Sequence, residues 1–250
     1  GRGRRRAART RQHSSPLIIG GAIVAGTVLM ATGMGISSLL KDDSASTSAN
    51  PPQATPSATA TSSAPKRPAL GNRRSTDPVP LTLGEIFRHR TFTVGSKRYT
   101  MTVWRSDRVC ARTVNGATLV TALRRGSCTQ VMRATFASAD GKLIGTVGVA
   151  NLSTSTAARA TTRLWSTKDA WLRPLPGPGI TRKIGTGSAL GTFQNKGHYL
   201  LMTWVQQPNG KAIPNAQQKL ASNFSQSVML GSGLYEALNY RGTEGKPLQS

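Results

Sequence analysis

The 250 residues carry 33 Lys and Arg against nine Asp and Glu, a formal charge of +24, and only 5% of them are aromatic. Such a composition excludes a polytopic transporter, a long coiled coil and a cysteine-rich toxin. It leaves about 170 residues from which one modest core can form. The first residue is Gly rather than Met, so the chain reads as processed or as a segment of something longer.

Residues 1–16 are a basic tail with Arg2, Arg4, Arg5, Arg6, Arg9 and Arg11 and no acid. Leu17 to Leu40 follow, 24 residues without a charge, ended by Lys41, Asp42 and Asp43. A helix of that length reaches about 36 Å, enough to cross a hydrocarbon layer of about 30 Å. The excess of arginine before the run places the N-terminus in the cytoplasm and the rest of the chain outside. A signal peptide would have a shorter apolar stretch, although the small residues of Ser44–Ala49 leave cleavage open. Gly21 with Ala25, and Ala22 with Gly26, share one helix face, and small residues there let two spans approach and pair. The expected partners thus begin with the membrane itself and extend to a second copy of the span.

Residues 41–80 read as a linker. From Ser44 on, Ser, Thr, Ala and Pro dominate and no aromatic residue occurs. Such a segment buries too little apolar surface to offset its ordering entropy. All 13 aromatic residues and both cysteines lie beyond it, which assigns residues 81–245 to an extracytoplasmic domain and 246–250 to a tail.

Within that domain the alternation of Tyr99–Trp104 predicts a strand, and Ala117–Leu123 a short helix closed by Gly126. Gln130–Ala137 and Leu143–Ala150 predict a hairpin around Asp140-Gly141. Ser153 or Thr154 caps a helix running to about Trp165. Two loop stretches, RPLPGPGI and IGTGSALGTF, lead to a strand over Tyr199–Val205. A helix over 215–229 places Leu220, Phe224 and Val228 on one face, and a last short helix covers 234–239. The order β-α-β-β-α-β-α matches an α+β, ferredoxin-like split βαβ arrangement with helices on one face of an antiparallel sheet. That fold hosts many functions and selects none.

Cys110 and Cys128, both outside the membrane in this topology, are expected to form a disulfide tying the end of the first strand to the start of the second. Sites for chemistry are scarce. Outside the tail only His89 and His198 occur, too few and too scattered for a zinc site. The six acids beyond residue 80 show no spacing that suggests a paired-carboxylate glycosidase. Asp140 is assigned to the turn, and Asp107 to an ion pair with a neighbouring arginine. No nucleophile elbow occurs, and the glycines from Gly185 to Gly191 lack the spacing of a dinucleotide fingerprint or P-loop. No cofactor and no enzymatic activity are expected.

Beyond residue 80 stand 22 Lys and Arg against six acids. Outside a bacterial membrane such charge points to anionic wall polymer or lipid headgroups, with nucleic acid a lesser candidate. The candidate contact residues are the local clusters Arg88 with Arg90, Lys97-Arg98, Arg124-Arg125 and Arg182-Lys183.

The stretch GSCTQVMRATFASADGKLIGTVGVANLSTSTAA, with RPLPGPG and KGHYLLMTWVQ, resembles single-pass envelope proteins of actinobacteria. The resemblance implies an Arg-rich cytoplasmic start, one membrane helix, a Ser/Thr/Pro stalk, a small external domain and a thick-walled host; it transfers no functional residue. The expectation is a bitopic protein whose basic external domain binds, senses or scaffolds. The alternatives are a membrane anchor or docking site for a cytoplasmic assembly, such as a secretion or contractile-injection apparatus, and an enzyme of wall polymer.

Overall fold

Three apolar runs, QVMRATFAS, IGTVGVAN and YLLMTWVQ, make up the middle of the fold. The computed structural model describes residues 70–249 of the chain. The expected span, its packing pairs at Gly21, Ala22, Ala25 and Gly26, the basic tail and the linker up to residue 69 lie outside the described residues. Among the described residues no helix is long and apolar enough to cross a membrane.

The domain is α+β. Its main sheet has six strands: β1 (Thr91–Val94), β2 (Lys97–Asp107), β4 (Gln130–Ser138), β5 (Ile144–Asn151), β7 (Leu190–Lys196) and β8 (Tyr199–Gln206). Their order is β1-β2-β4-β5-β8-β7, and every neighbouring pair is antiparallel. Two short strands, β3 (Val114–Asn115) and β6 (Trp171–Leu172), pair separately. Three tight turns set the hairpins. Gly95 and Gly197 adopt φ of +59° and +54° in the β1–β2 and β7–β8 turns, a backbone region open to glycine at little cost. The β4–β5 turn is held by Asp140, whose Oδ1 accepts from the Ser138 hydroxyl at 2.6 Å and from the Lys142 amide at 3.1 Å.

Five helices complete the domain among the described residues: α1 (Leu83–Ile86), α2 (Ala117–Arg125), α3 (Ser155–Thr162), α4 (Gln218–Gly231) and α5 (Leu234–Glu244). Thr154 caps α3, its hydroxyl accepting from the Ala157 amide at 3.1 Å. Helices cover both faces of the sheet, not one as expected. Met132, Ala134, Phe136, Val147, Val149 and Leu201 pack with α1, α4 and α5. Val131, Ala150, Leu200 and Met202, one residue out of phase, pack with α2 and α3. The reason is in the strands: β5 and β8 are buried at every position, and a strand buried on both faces needs a layer on each side.

The split βαβ arrangement is also replaced. It requires the first and second expected strands to run parallel with another strand between them, whereas β2 and β4 are direct antiparallel neighbours, Tyr99 opposite Ser138 and Asp107 opposite Val131. Cys110 and Cys128 are bonded, with Cα atoms 6.3 Å apart. In a parallel pair the end of one strand and the start of the next lie at opposite ends of the sheet, about 30 Å apart for nine residues. Antiparallel neighbours bring them together, so the observed strand order allows the disulfide where the expected one would not.

Of the two edge strands, β1 lies in a stretch given no element from the sequence and β7 begins inside the loop stretch IGTGSALGTF, and the folded unit begins earlier than residue 81. Residues 70–80 form a strap of 3-10 turns and extended chain packed on the domain. Gly71 lies against Gly242 of α5 so closely that a Cβ would stand 2.7 Å from the Gly242 Cα. Asp77 is wholly buried. At the other end of the chain, Leu248 is half-buried, and its amide donates to Glu85 at 3.2 Å, so the tail too is partly docked.

Candidate functional site

The buried charges come first because they are fully occupied. Arg241 of α5 is buried with all five guanidinium N–H groups engaged. Nε and Nη2 donate to the two Glu85 oxygens at 2.5 and 2.7 Å, and Nη1 donates to Asp77 Oδ1 and to the Val79 carbonyl, each at 2.6 Å. Nη2 also donates to the Pro80 carbonyl at 3.2 Å. The Tyr199 hydroxyl donates to the second Asp77 oxygen at 2.6 Å. Burial raises the Tyr199 phenol far above its ordinary value. Burial alone would lower the Arg241 pKa, but the Glu85 hydrogen bonds and the surrounding negative groups raise it overall. The arrangement is a closed staple joining the strap, α1, β8 and α5, with no donor left for a substrate.

Asp107 and Arg133 form a second pair, Nη2 to Oδ2 at 2.8 Å. Asp107 had been expected to pair with a neighbouring arginine in the chain. Its partner instead lies across the β2–β4 ladder, because side chains on one face of a strand meet those of the facing strand. His198 is buried beside the strap. Its Nδ1 lies 2.8 Å from the Gly71 carbonyl, its Nε2 has no partner, and burial lowers its pKa below the usual imidazole value. Among the described residues no three His, Cys, Asp or Glu side chains cluster as a metal site.

The basic clusters do not converge. Lys97 and Arg98 lie at the β1–β2 turn, while Arg124 and Arg125 end α2, next to Cys128, at the far end of the sheet. The 11 residues of β2 put these two clusters about 30 Å apart. Arg182 and Lys183 sit in the 3-10 turn Gly179–Lys183, held against β2 by the Thr181 hydroxyl donating to Thr102 Oγ1 at 2.9 Å. Arg90 is exposed, but Arg88 is mostly buried, pairs with Glu236 and lies over Gly233.

A groove of about 830 Å³ opens at the turn end of the sheet, between α4 and the β1–β2 and β4–β5 turns. Its floor is apolar, with Leu143, Ile213 and Phe224, and its rim carries Lys97, Lys142 and several side-chain amides. Asp140 lies on the rim. The Ser138 hydroxyl foremost, with the Lys142 amide and the charges of Lys97 and Lys142, holds its carboxyl below the usual range against a smaller opposing push from burial. Two groove leucines of α4 are strongly exposed, Leu220 at 41% and Leu230 at 57%. Leu220 had been expected on the buried face with Phe224 and Val228. It lines the groove together with Phe224 but is exposed, while Phe224 and Val228 are buried. A second hollow of about 570 Å³ lies between α2 and α3 and is lined mainly by Ala, Gly and Thr. The first groove was not read from the sequence, because the exposure of Leu220 and Leu230 is set by tertiary packing.

No protein-family model, no curated protein and no solved structure matches this chain. The functional reading therefore rests on the residues and their arrangement.

Proposed function

We propose that this chain is a bitopic membrane protein whose extracytoplasmic domain is a non-enzymatic module that holds an envelope partner protein in the groove between α4 and the turns. The observation that supports it is the pair of exposed leucines, Leu220 and Leu230, flanking an open groove with an apolar floor and an amide-rich rim. Apolar anchor positions surrounded by polar rim groups are the usual composition of a protein-recognition surface. The paired carboxylates add to this reading. Asp77 and Glu85 are consumed by Arg241, and Asp107 by Arg133. The long uncharged run of Leu17–Leu40 and the arginines before it supply the orientation.

The test is crosslinking in intact membranes with a photoreactive side chain at position 220 or 230, read by mass spectrometry. Capture of an external or envelope protein at these positions and not at Arg124 supports the reading. Capture of cytoplasmic proteins alone overturns it, and so does equal capture at all three sites.

A further inference from the structure

The two edges of the sheet are built differently. At one edge β7 is covered by α3 and the 3-10 turn Arg163–Ser166. At the other, β1 pairs only with Lys97–Thr100 and ends with the Arg90 carbonyl accepting from the Met101 amide at 2.7 Å. A bulge between Met101 and Val103 follows. From Thr102 to Asp107, β2 has β4 on one side and, among the described residues, no strand on the other. Six residues of strand offer an unpaired edge about 20 Å long. Trp104 on this edge is 43% exposed, and Arg105, Ser106 and Arg108 are exposed with it.

The charges around this edge are of one sign. Arg105 lies on it, Arg108 and Arg112 follow its end, and Arg182 and Lys183 stand in the turn packed on Thr102. The one acid on the strand, Asp107, is neutralised by Arg133 at 2.8 Å. A second copy presenting the same edge would set arginine against arginine, and like charges across a strand pair are destabilising. A strand bearing Asp or Glu would meet the opposite charge at the same positions.

We propose that the Thr102–Asp107 edge is a strand-addition site for an extended, acidic segment of a partner protein. Main-chain hydrogen bonds to β2 hold the segment, a carboxylate meets Arg105 on one face, an apolar side chain rests on Trp104 on the other, and Arg108 just past the strand adds to the attraction. This site is separate from the groove and stands or falls independently of it.

The probe is a fluorescent decapeptide alternating Val with Glu, added to the full-length protein in detergent micelles. Two control peptides are used, one with alternate backbone nitrogens methylated and one with Lys in place of Glu. The acidic peptide is expected to bind and to slow hydrogen exchange across residues 102–107. Methylation, which removes the peptide's donors and leaves its charge, should weaken binding about tenfold or more, as should Arg105→Glu with Arg108→Glu. Both substitutions are at exposed positions, and thermal unfolding of the variant verifies that the fold is kept. Equal binding of the methylated peptide would reduce the effect to charge attraction and overturn the proposal. So would absence of binding, protection confined to the groove, or protection of 102–107 in the free protein that grows with its concentration, the signature of self-pairing.

Discussion

Arg241 closes on the carboxylate of Glu85, 156 positions away in the chain, with Nε to Oε1 at 2.5 Å and Nη2 to Oε2 at 2.7 Å. The same guanidinium reaches Asp77 at 2.6 Å, so one side chain of the last helix fastens both the strap and α1. Removing Arg241 leaves two buried carboxylates without a cation. Arg241→Met should therefore cost about 3–5 kcal/mol of stability. Asp77→Ala leaves the Glu85 pair intact and should cost less, about 1–3 kcal/mol for the unpaired donors left behind. Urea unfolding of the three proteins checks both the size and the order of these losses.

His198 should make stability depend on pH in one direction. Burial lowers its folded-state pKa below the ordinary 6.5, while the unfolded chain titrates near that ordinary value. Between the two values the unfolded state holds the extra proton, so stability falls as pH drops below 6.5 and levels off below the folded pKa. At neutral pH this contribution is fully present. His198→Phe should flatten that part of the profile, measured as the unfolding midpoint between about pH 7 and pH 5.

The Cys110–Cys128 bond spans 18 positions. In the chain-entropy view, closing such a loop stabilises by about 3 kcal/mol. Cys110→Ser with Cys128→Ser should lower stability by roughly that amount, while the β2–β4 ladder, which does not depend on the bond, persists. Equilibrium denaturation gives the first quantity, and hydrogen exchange of β4 amides checks the second.

Leu220 and Leu230 contribute little to the core because both are strongly exposed. Replacing each by Asp should change stability by no more than about 0.5 kcal/mol. The same pair of substitutions should abolish capture of the partner proposed for the groove. A large loss of stability would instead place these side chains in the packing of α4.

Much of the domain was legible one element at a time. The strands over Gln130–Ser138, Ile144–Asn151 and Tyr199–Gln206, the helices after Gly116 and Thr154 and the Asp140 turn follow from local periodicity and turn chemistry, and the disulfide from the chain having only two cysteines. The hairpin turn Gly95-Ser96 was also present in the sequence, between TFTV and KRYT, but β1 is a four-residue edge strand with little apolar weight. The buried staple is not legible in the sequence because Asp77 stands in a Pro-rich stretch with no aromatic residue, and its partner lies 164 positions away. The clusters of basic residues were visible, but their division between the two ends of the sheet was not.

By itself the sequence determined what is local: which segments alternate, which residues cap and turn, where the apolar run and the arginines before it stand, and which two sulfurs are at hand to bond. Tertiary structure alone decided strand order, the covering of both sheet faces, the docking of residues 70–80 and the exposure of Leu220, Trp104 and Leu230. These depend on contacts between distant parts of the chain. Whether such contacts form depends on the closure of long loops and on competition for buried surface, and neither leaves a periodic trace along the chain.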